Sequence, residues 1–241
     1  MSNDTFPLAY QSEEANRYFE FEKQQHPADT FIADALRGIG IHGHKILDYG
    51  CGSGLMVPPL LKLGASQVIG CDPSAAMIRE ANRRFAGASA MSAMTRFDLL
   101  TGLPLPYPSS SFDGVLLRFV LHYIPDTQSA FREFARILKP NGWVVAVSSD
   151  VSLKPGREYL ANTMMPLIFQ DMLTVRTLIK QGKEITESAG NAGLEIERYE
   201  RISDATLASV DTTYEHAREI EQFSTGLLVA RKPLDKRKPT V

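Results

Sequence analysis

The residues of this chain best suited to holding a ligand are Asp48, three glycines at alternate positions, and a second acid at residue 72. The first four stand in Ile46-Leu47-Asp48-Tyr49-Gly50-Cys51-Gly52-Ser53-Gly54, a buried-strand pattern that ends in a glycine-rich turn. Glycines at 50, 52 and 54 let the backbone turn sharply and let a ligand rest on the main chain itself, where a Cβ would block it. Val68-Ile69-Gly70-Cys71-Asp72-Pro73-Ser74 then places a carboxylate about 20 residues beyond the turn, where an acid can accept hydrogen bonds from both ribose hydroxyls. Together they suggest a nucleoside; alone, Asp72 reads equally as a helix cap, a role open to Ser74.

Two chemistries fit a nucleoside at such a turn. A nicotinamide dinucleotide uses G-x-G-x-x-G/A, and counting from Gly50 and Gly52 puts Leu55 at the third small position. A dinucleotide also brings a pyrophosphate, which needs donors. A carboxylate such as Asp48 beside the turn serves a ligand that needs acceptors as well.

Further motifs follow in order. Phe97-Asp98-Leu99 precedes Leu103-Pro104-Leu105-Pro106-Tyr107-Pro108 and Ser111-Phe112-Asp113; Arg136-Ile137-Leu138-Lys139-Pro140-Asn141-Gly142 comes later. With the order Asp-x-Gly-x-Gly-x-Gly, these resemble the motifs of class I S-adenosylmethionine (SAM) dependent methyltransferases over roughly residues 45–150. Asn141 replaces a glycine of the family pattern, and asparagine tolerates the same left-handed backbone. The resemblance implies a Rossmann-like α/β fold with a seven-stranded, mostly parallel sheet, helices on both faces, an antiparallel final strand and a helical cap. It implies SAM as cofactor, held by Asp48, Gly50, Cys51, Gly52, Gly54, Asp72, Pro73, Met77, Asp98, Leu99, Arg118 and Phe119, with Asp98 meeting the adenine amino group. Tyr10 and Tyr18 resemble aromatic residues that close over SAM from the N-terminal side. No metal is implied.

The acceptor side is Arg118-Phe119-Val120-Leu121-His122-Tyr123-Ile124-Pro125-Asp126. His122 is the one histidine within a motif, and a neutral imidazole can take a proton from an acceptor hydroxyl or amine; it can equally serve as a helix-start hydrogen-bonding group. Arg118 stands where related enzymes often carry a small residue, and could hold the SAM carboxylate, hold an acidic substrate, or pack its stem. The sequence lacks the Asn/Asp-Pro-Pro-Tyr/Phe motif of many nucleobase and glutamine amide methylating enzymes. The expected reaction is methyl transfer to O, N or C of a small acceptor, partly apolar or aromatic. A protein or RNA acceptor, and a SAM-binding protein that regulates or assists a rearrangement, are the alternatives.

These residues need strands to carry them to one edge. Short apolar runs alternating with amphipathic stretches predict βα units. Strands are expected at Lys45–Tyr49, Gln67–Cys71, Ala93–Phe97, Gly114–Phe119, Trp143–Ser148, Leu194–Ile202 and Thr225–Arg231. Helices are expected at Ser12–Gln25, Thr30–Ile39, Ala75–Phe85, from an Asp126 cap to Leu138 with Asn141-Gly142 as its stop, and up to Ala192-Gly193. Arg83 and Arg84 read as a solvated helix face. The domain divides into an N-terminal cap (1–44), a cofactor core (45–150), an acceptor-side lid (151–181, with Tyr159, Met164, Met165, Phe169 and Met172), a closing unit (182–232) and a basic tail (233–241). The connection carrying Tyr214, Glu215 and His216 is unusually long.

At 241 residues, with 44% hydrophobic and 22% charged residues, the chain suits one globular α/β domain. A net charge of −2 argues against a nucleic-acid partner. No apolar run reaches the ~18 residues of a membrane span, and the start lacks a secretory signal. Two cysteines, read as buried hydrophobes, agree with a cytoplasmic protein.

Overall fold

A computed structural model of the chain describes residues 27–87, 90–100, 102–150, 181–203, 206 and 224–234. Within them, seven strands form one sheet: β1 (Lys45–Tyr49), β2 (Gln67–Asp72), β3 (Thr95–Leu99), β4 (Phe112–Arg118), β5 (Leu138–Asp150), β6 (Glu195–Ser203) and β7 (Ser224–Arg231). Their spatial order is β3-β2-β1-β4-β5-β7-β6. β7 runs antiparallel to both β5 and β6, and the other pairs are parallel. The expected seven-stranded class I methyltransferase-type sheet is therefore present. The order reverses between β1 and β4, and in open α/β sheets ligands bind outside the carboxyl ends of strands at that switch point.

The central strands read as continuous apolar runs because both faces are covered. On one face Leu47, Tyr49, Val115, Leu117, Val144 and Ala146 pack with Phe131 and Phe134 of α5 (Thr127–Ile137) and Ile185 of α6 (Gly182–Asn191). On the other face Ile46, Val68, Leu116 and Val145 pack with Ile32 and Leu36 of α1 (Ala28–Ile39) and Leu60 of α2 (Val57–Lys62). α3 (Ala75–Arg84) buries Met77, Ile78 and Ala81, the stripe its 3.6-residue period requires. The short α2 was not foreseen; its Pro58 and Pro59 fall in the first helical turn, where a missing N–H costs nothing. A second short helix, α4 (Ala90–Ala93), precedes β3.

Two expectations need correction. The helix starting at Thr127 stops at Ile137, and Leu138 already pairs with Phe112 as the first residue of β5. Asn141 does adopt a left-handed φ of 63°, but within β5, where the register shifts between Phe112 and Gly114 of the neighbouring strand. It is a bulge residue: its N–H donates to Lys232 O at 3.0 Å and Lys232 N–H returns to Gly142 O at 2.7 Å. Likewise β3 lies two residues later than expected, at Thr95–Leu99, which takes Asp98 inside the strand. The expected N-terminal helix 12–25, the lid at 151–180, the long connection with Tyr214, Glu215 and His216, and the tail beyond 234 lie outside the described residues.

Motif residues divide between the two edges of the sheet. Asp113 accepts from the Lys45 N–H at 2.8 Å and pairs with Lys139 at 2.8 Å. Burial alone would raise the Asp113 carboxyl, but Lys139 and the Lys45 N–H outweigh it and hold it below the usual range. The Phe-Asp and Leu-Lys-Pro segments thus tie β1, β4 and β5 together at the edge away from the glycine turn. Arg136 donates to Tyr107 O and Leu105 O, and Glu133 accepts from the Leu105 N–H, so α5 grips the proline-rich loop.

Candidate functional site

β1 ends at Tyr49, and Gly50, Cys51, Gly52, Ser53 and Gly54 make the turn above it, with φ of 71°, 53° and 82° at the three glycines. Gly50 is constrained twice: a Cβ there would lie 2.4 Å from Val120 Cγ2. Val120 follows Phe119, whose own φ is 54°, so the end of β4 folds back under the turn.

The turn's donors are largely committed within the protein. The N–H groups of Gly50 and Cys51 both donate to Cys71 O, at 2.8 and 3.0 Å, and that of Gly54 to Cys51 O at 2.9 Å. Gly52 N–H donates to Asp72 Oδ2 at 3.0 Å. A pyrophosphate cradle needs such groups pointing outward. A site whose turn has spent its donors, with a carboxylate at its rim, suits hydroxyl and ammonium groups instead.

Asp72 closes β2 and is 7% exposed. Its Oδ1 accepts the Ser74 N–H at 2.8 Å and its Oδ2 the Gly52 N–H, so the carboxylate stitches the turn to the second strand. Ser74 Oγ caps α3 by accepting the Met77 N–H at 3.3 Å, which settles which residue is the cap. Beside Asp72 in the β2–β3 register lies Leu99, 47% exposed, an apolar side chain left open next to the acid. Pro73 is half-buried at the same edge, whereas Met77 is fully enclosed in the packed side of α3.

Asp98 stands differently from expectation. It pairs with Cys71 inside the sheet, and its Oδ2 already receives Arg96 Nη2 at 2.8 Å and the Tyr107 hydroxyl at 3.0 Å. It anchors the proline-rich loop, and the side chain presented at the mouth from this strand is Leu99. Asp48 is also enclosed, at 1% exposure, on the sheet face of Ile46. Cys51 and Cys71 are buried free thiols, and burial pushes the Cys71 thiol up, out of the nucleophilic range.

At the end of β4, Arg118 meets a partner the sequence did not reveal. Its Nε and Nη2 donate to the two carboxylate oxygens of Asp29 at 2.6 and 3.1 Å, and both side chains are largely shielded from solvent. Asp29 lies in the first turn of α1, where an acid also suits the helix dipole. The fork docks α1 at the ligand edge. Replacing Asp29 with asparagine should cost about 2 kcal/mol, as loss of a charge-assisted bond does. The exchange Asp29→Arg with Arg118→Asp should recover part of it in denaturant melts, and a swap no better than the single variant would dismiss the pair.

His122 sits in a 3-10 turn, Leu121–Tyr123, just beyond β4. It is 8% exposed, its ring lies 4.1 Å from that of Tyr123, and its Nδ1 has no hydrogen-bond partner among the described residues. Burial lowers its pKa to about 4, so it is neutral at working pH and a weak proton acceptor. Because the unfolded histidine binds its proton near pH 6.5, stability tied to this residue is complete above that value. It is lost as pH falls towards 4. A folded His122→Gln variant should therefore lose less stability than the wild type between pH 7 and 5 in urea melts; parallel losses would contradict the assignment. Turnover should show no histidine limb above about pH 5.

The sheet edge thus brings together Gly50, Cys51, Gly52, Gly54, Asp72, Pro73, Leu99, Arg118 and Phe119, with His122 close behind β4. Tyr10 and Tyr18 lie outside the described residues. Asp29 and Val120 are contributors the sequence did not mark.

A family pattern described as "Methyltransferase domain" matches residues 47–146. A ubiquinone biosynthesis O-methyltransferase from Albidiferax ferrireducens is 29% identical over 174 residues, covering 68% of this chain and 68% of that protein. Three further proteins of that name are matched over only 53%, 51% and 60% of their lengths. The 27-O-demethylrifamycin SV methyltransferase of Amycolatopsis mediterranei is 29% identical, with 76% of this chain and 66% of that one aligned. Among solved structures, geranyl diphosphate C-methyltransferase from Streptomyces coelicolor superposes with a TM-score of 0.67 at 19% identity, covering 84% of this chain and 76% of that one. The cyclase SpnF superposes at 0.61 and 21% identity, covering 84% and 80%. With strand order, glycine turn and relatives in agreement, the chain has the class I S-adenosylmethionine-dependent methyltransferase fold and carries the methyltransferase-domain pattern over residues 47–146.

Proposed function

We propose that this protein transfers a methyl group from SAM to an oxygen, nitrogen or carbon of a small-molecule acceptor that is apolar or aromatic in part. The observation that carries the cofactor reading is the turn itself: its N–H groups at 50, 51, 52 and 54 are engaged internally, while the Asp72 carboxylate stands at its rim. That pattern fits a phosphate-free nucleoside bearing hydroxyls and positive charge.

In this reading Asp72 holds the ribose hydroxyls, the turn from Gly50 to Gly54 supports the ligand from below, and Leu99 and Pro73 flank the base. Phe119 lies on the side of the methionine moiety, and Arg118 shapes that side through Asp29. When bound, SAM supplies a methyl group already activated by a positive sulfur. The chain's own task is then alignment of the acceptor and exclusion of water, with no covalent intermediate required. His122, neutral and buried behind β4, orients the acceptor side through its packing and supplies no strong base.

Support for an apolar acceptor comes from the relatives: the names of the proteins matched include a rifamycin and a geranyl diphosphate methyltransferase. Two free, buried cysteines and the lack, among the described residues, of any helix long and apolar enough to cross a membrane accord with a cytoplasmic setting. The likeness to a cyclase favours one other reading, in which the bound cofactor serves a rearrangement.

Two measurements test the proposal. Calorimetric titration should give S-adenosylhomocysteine (SAH) binding and no NADH binding; the reverse result removes the reading. Labelled-methyl transfer to extracts of the source cell should yield a labelled small molecule, whereas cofactor binding without a labelled product would favour the rearrangement.

A further inference from the structure

We propose that Arg84 is a positioning residue for the cofactor turn, an inference that rests on the methyltransferase reading above. Arg84 is the last residue of α3, and its Nη1 donates to Ser53 Oγ at 2.6 Å and to Ser53 O at 3.1 Å. Ser53 is buried between Gly52 and Gly54, in the middle of the turn. The neighbouring Arg83 behaves quite differently: it forks onto Glu80 on the same helix and stays in solvent. Two adjacent arginines of identical type therefore do different work, and only one reaches across 31 residues to the ligand loop.

The contact is one half of a two-ended clamp. At the start of α3, Ser74 N–H and the Gly52 N–H share the Asp72 carboxylate. At the other end, Arg84 takes Ser53, and the ring of Phe85 fills the space beside Gly54, 2.9 Å from where a Cβ would stand. α3 and its two flanks, Asp72 before it and Phe85 after it, thus hold successive residues 52, 53 and 54 of the turn. A turn built of three left-handed glycines has many alternative conformations, so external pegs decide how much of its ordering must be supplied by the ligand. Arg84 itself is exposed, which limits the strength of its bonds, but the groups it fixes are buried. Its removal should loosen the turn and weaken nucleoside binding while leaving the hydrophobic core intact.

The test uses SAH titration and thermal melts of the full chain without ligand. Arg84→Met should weaken SAH binding by about five- to tenfold, with the unliganded melting point within about 2 °C of wild type. Arg84→Lys, which can still reach one acceptor, should recover most of the affinity. Ser53→Ala combined with Arg84→Met should bind no worse than the weaker single variant, because both remove the same contact. Unchanged affinity in Arg84→Met, additive losses in the double variant, or an affinity loss that tracks unliganded stability and is not restored by lysine would each overturn the assignment. A wild-type protein that fails to bind SAH overturns the methyltransferase reading together with this one. Wild-type binding with an unaffected Arg84→Met variant overturns this inference alone.

Discussion

Asp72→Ala is expected to weaken SAH binding by one to two orders of magnitude or more, and Asp72→Asn to be little better. The first number follows from charge-assisted hydrogen bonds to ribose, each worth roughly 1.5–3 kcal/mol. The second follows from geometry within the protein. The carboxylate accepts two backbone N–H groups at once, Ser74 at Oδ1 and Gly52 at Oδ2. An asparagine has one oxygen, so its NH2 would face an N–H, donor against donor, at whichever position the oxygen leaves. Isosteric replacement thus damages the turn as well as the ligand contact. Calorimetry on folded variants decides the matter: asparagine binding within twofold of wild type would separate the ribose from this residue, and the nucleoside would have to lie elsewhere.

Gly50→Ala should lose measurable cofactor binding and destabilise the fold by roughly 2–5 kcal/mol. A non-glycine residue at a φ of 71° costs about 1–2 kcal/mol. Forcing a methyl group to within 2.4 Å of Val120 Cγ2 adds the penalty of an overpacked core, about 1–3 kcal/mol. The two parts are separable. Trimming the obstruction in Gly50→Ala/Val120→Ala should return the steric part and leave the backbone part, giving a double variant more stable than Gly50→Ala alone. Urea denaturation of the four proteins measures this directly. A double variant less stable than Gly50→Ala would mean that Val120 is not the obstacle.

How much was readable in the sequence depended on how local each signal was. The glycine turn, the acid at 72 and the apolar strands were legible because spacing within a few residues encodes them. Ser74 as cap and the left-handed Asn141 were visible in kind, but Asn141 serves a bulge, since its partner is Lys232, about 90 residues away. The boundary of β3 was drawn two residues early, and the structure places Asp98 within the strand, with the Tyr107 hydroxyl on its carboxylate. Arg118 and Arg84 were ambiguous because a cation's role is set by its partner. Asp29 and Ser53 are joined to them only by the fold. The Phe-Asp and Leu-Lys-Pro segments helped recognition yet serve the opposite edge, so a shared motif marked architecture there and chemistry elsewhere.

The directions of α1 and β7 have a practical corollary. α1 begins at the mouth, where Asp29 reaches Arg118, and descends towards the start of β1. β7 starts opposite Asp150 and finishes beside Trp143, at the base. The described chain therefore enters at the doorway of the cleft, at residue 27, and leaves from the floor, at residue 234. A tether joined directly at residue 234 should keep the doorway clear, whereas a bulky group joined directly at residue 27 should slow cofactor exchange.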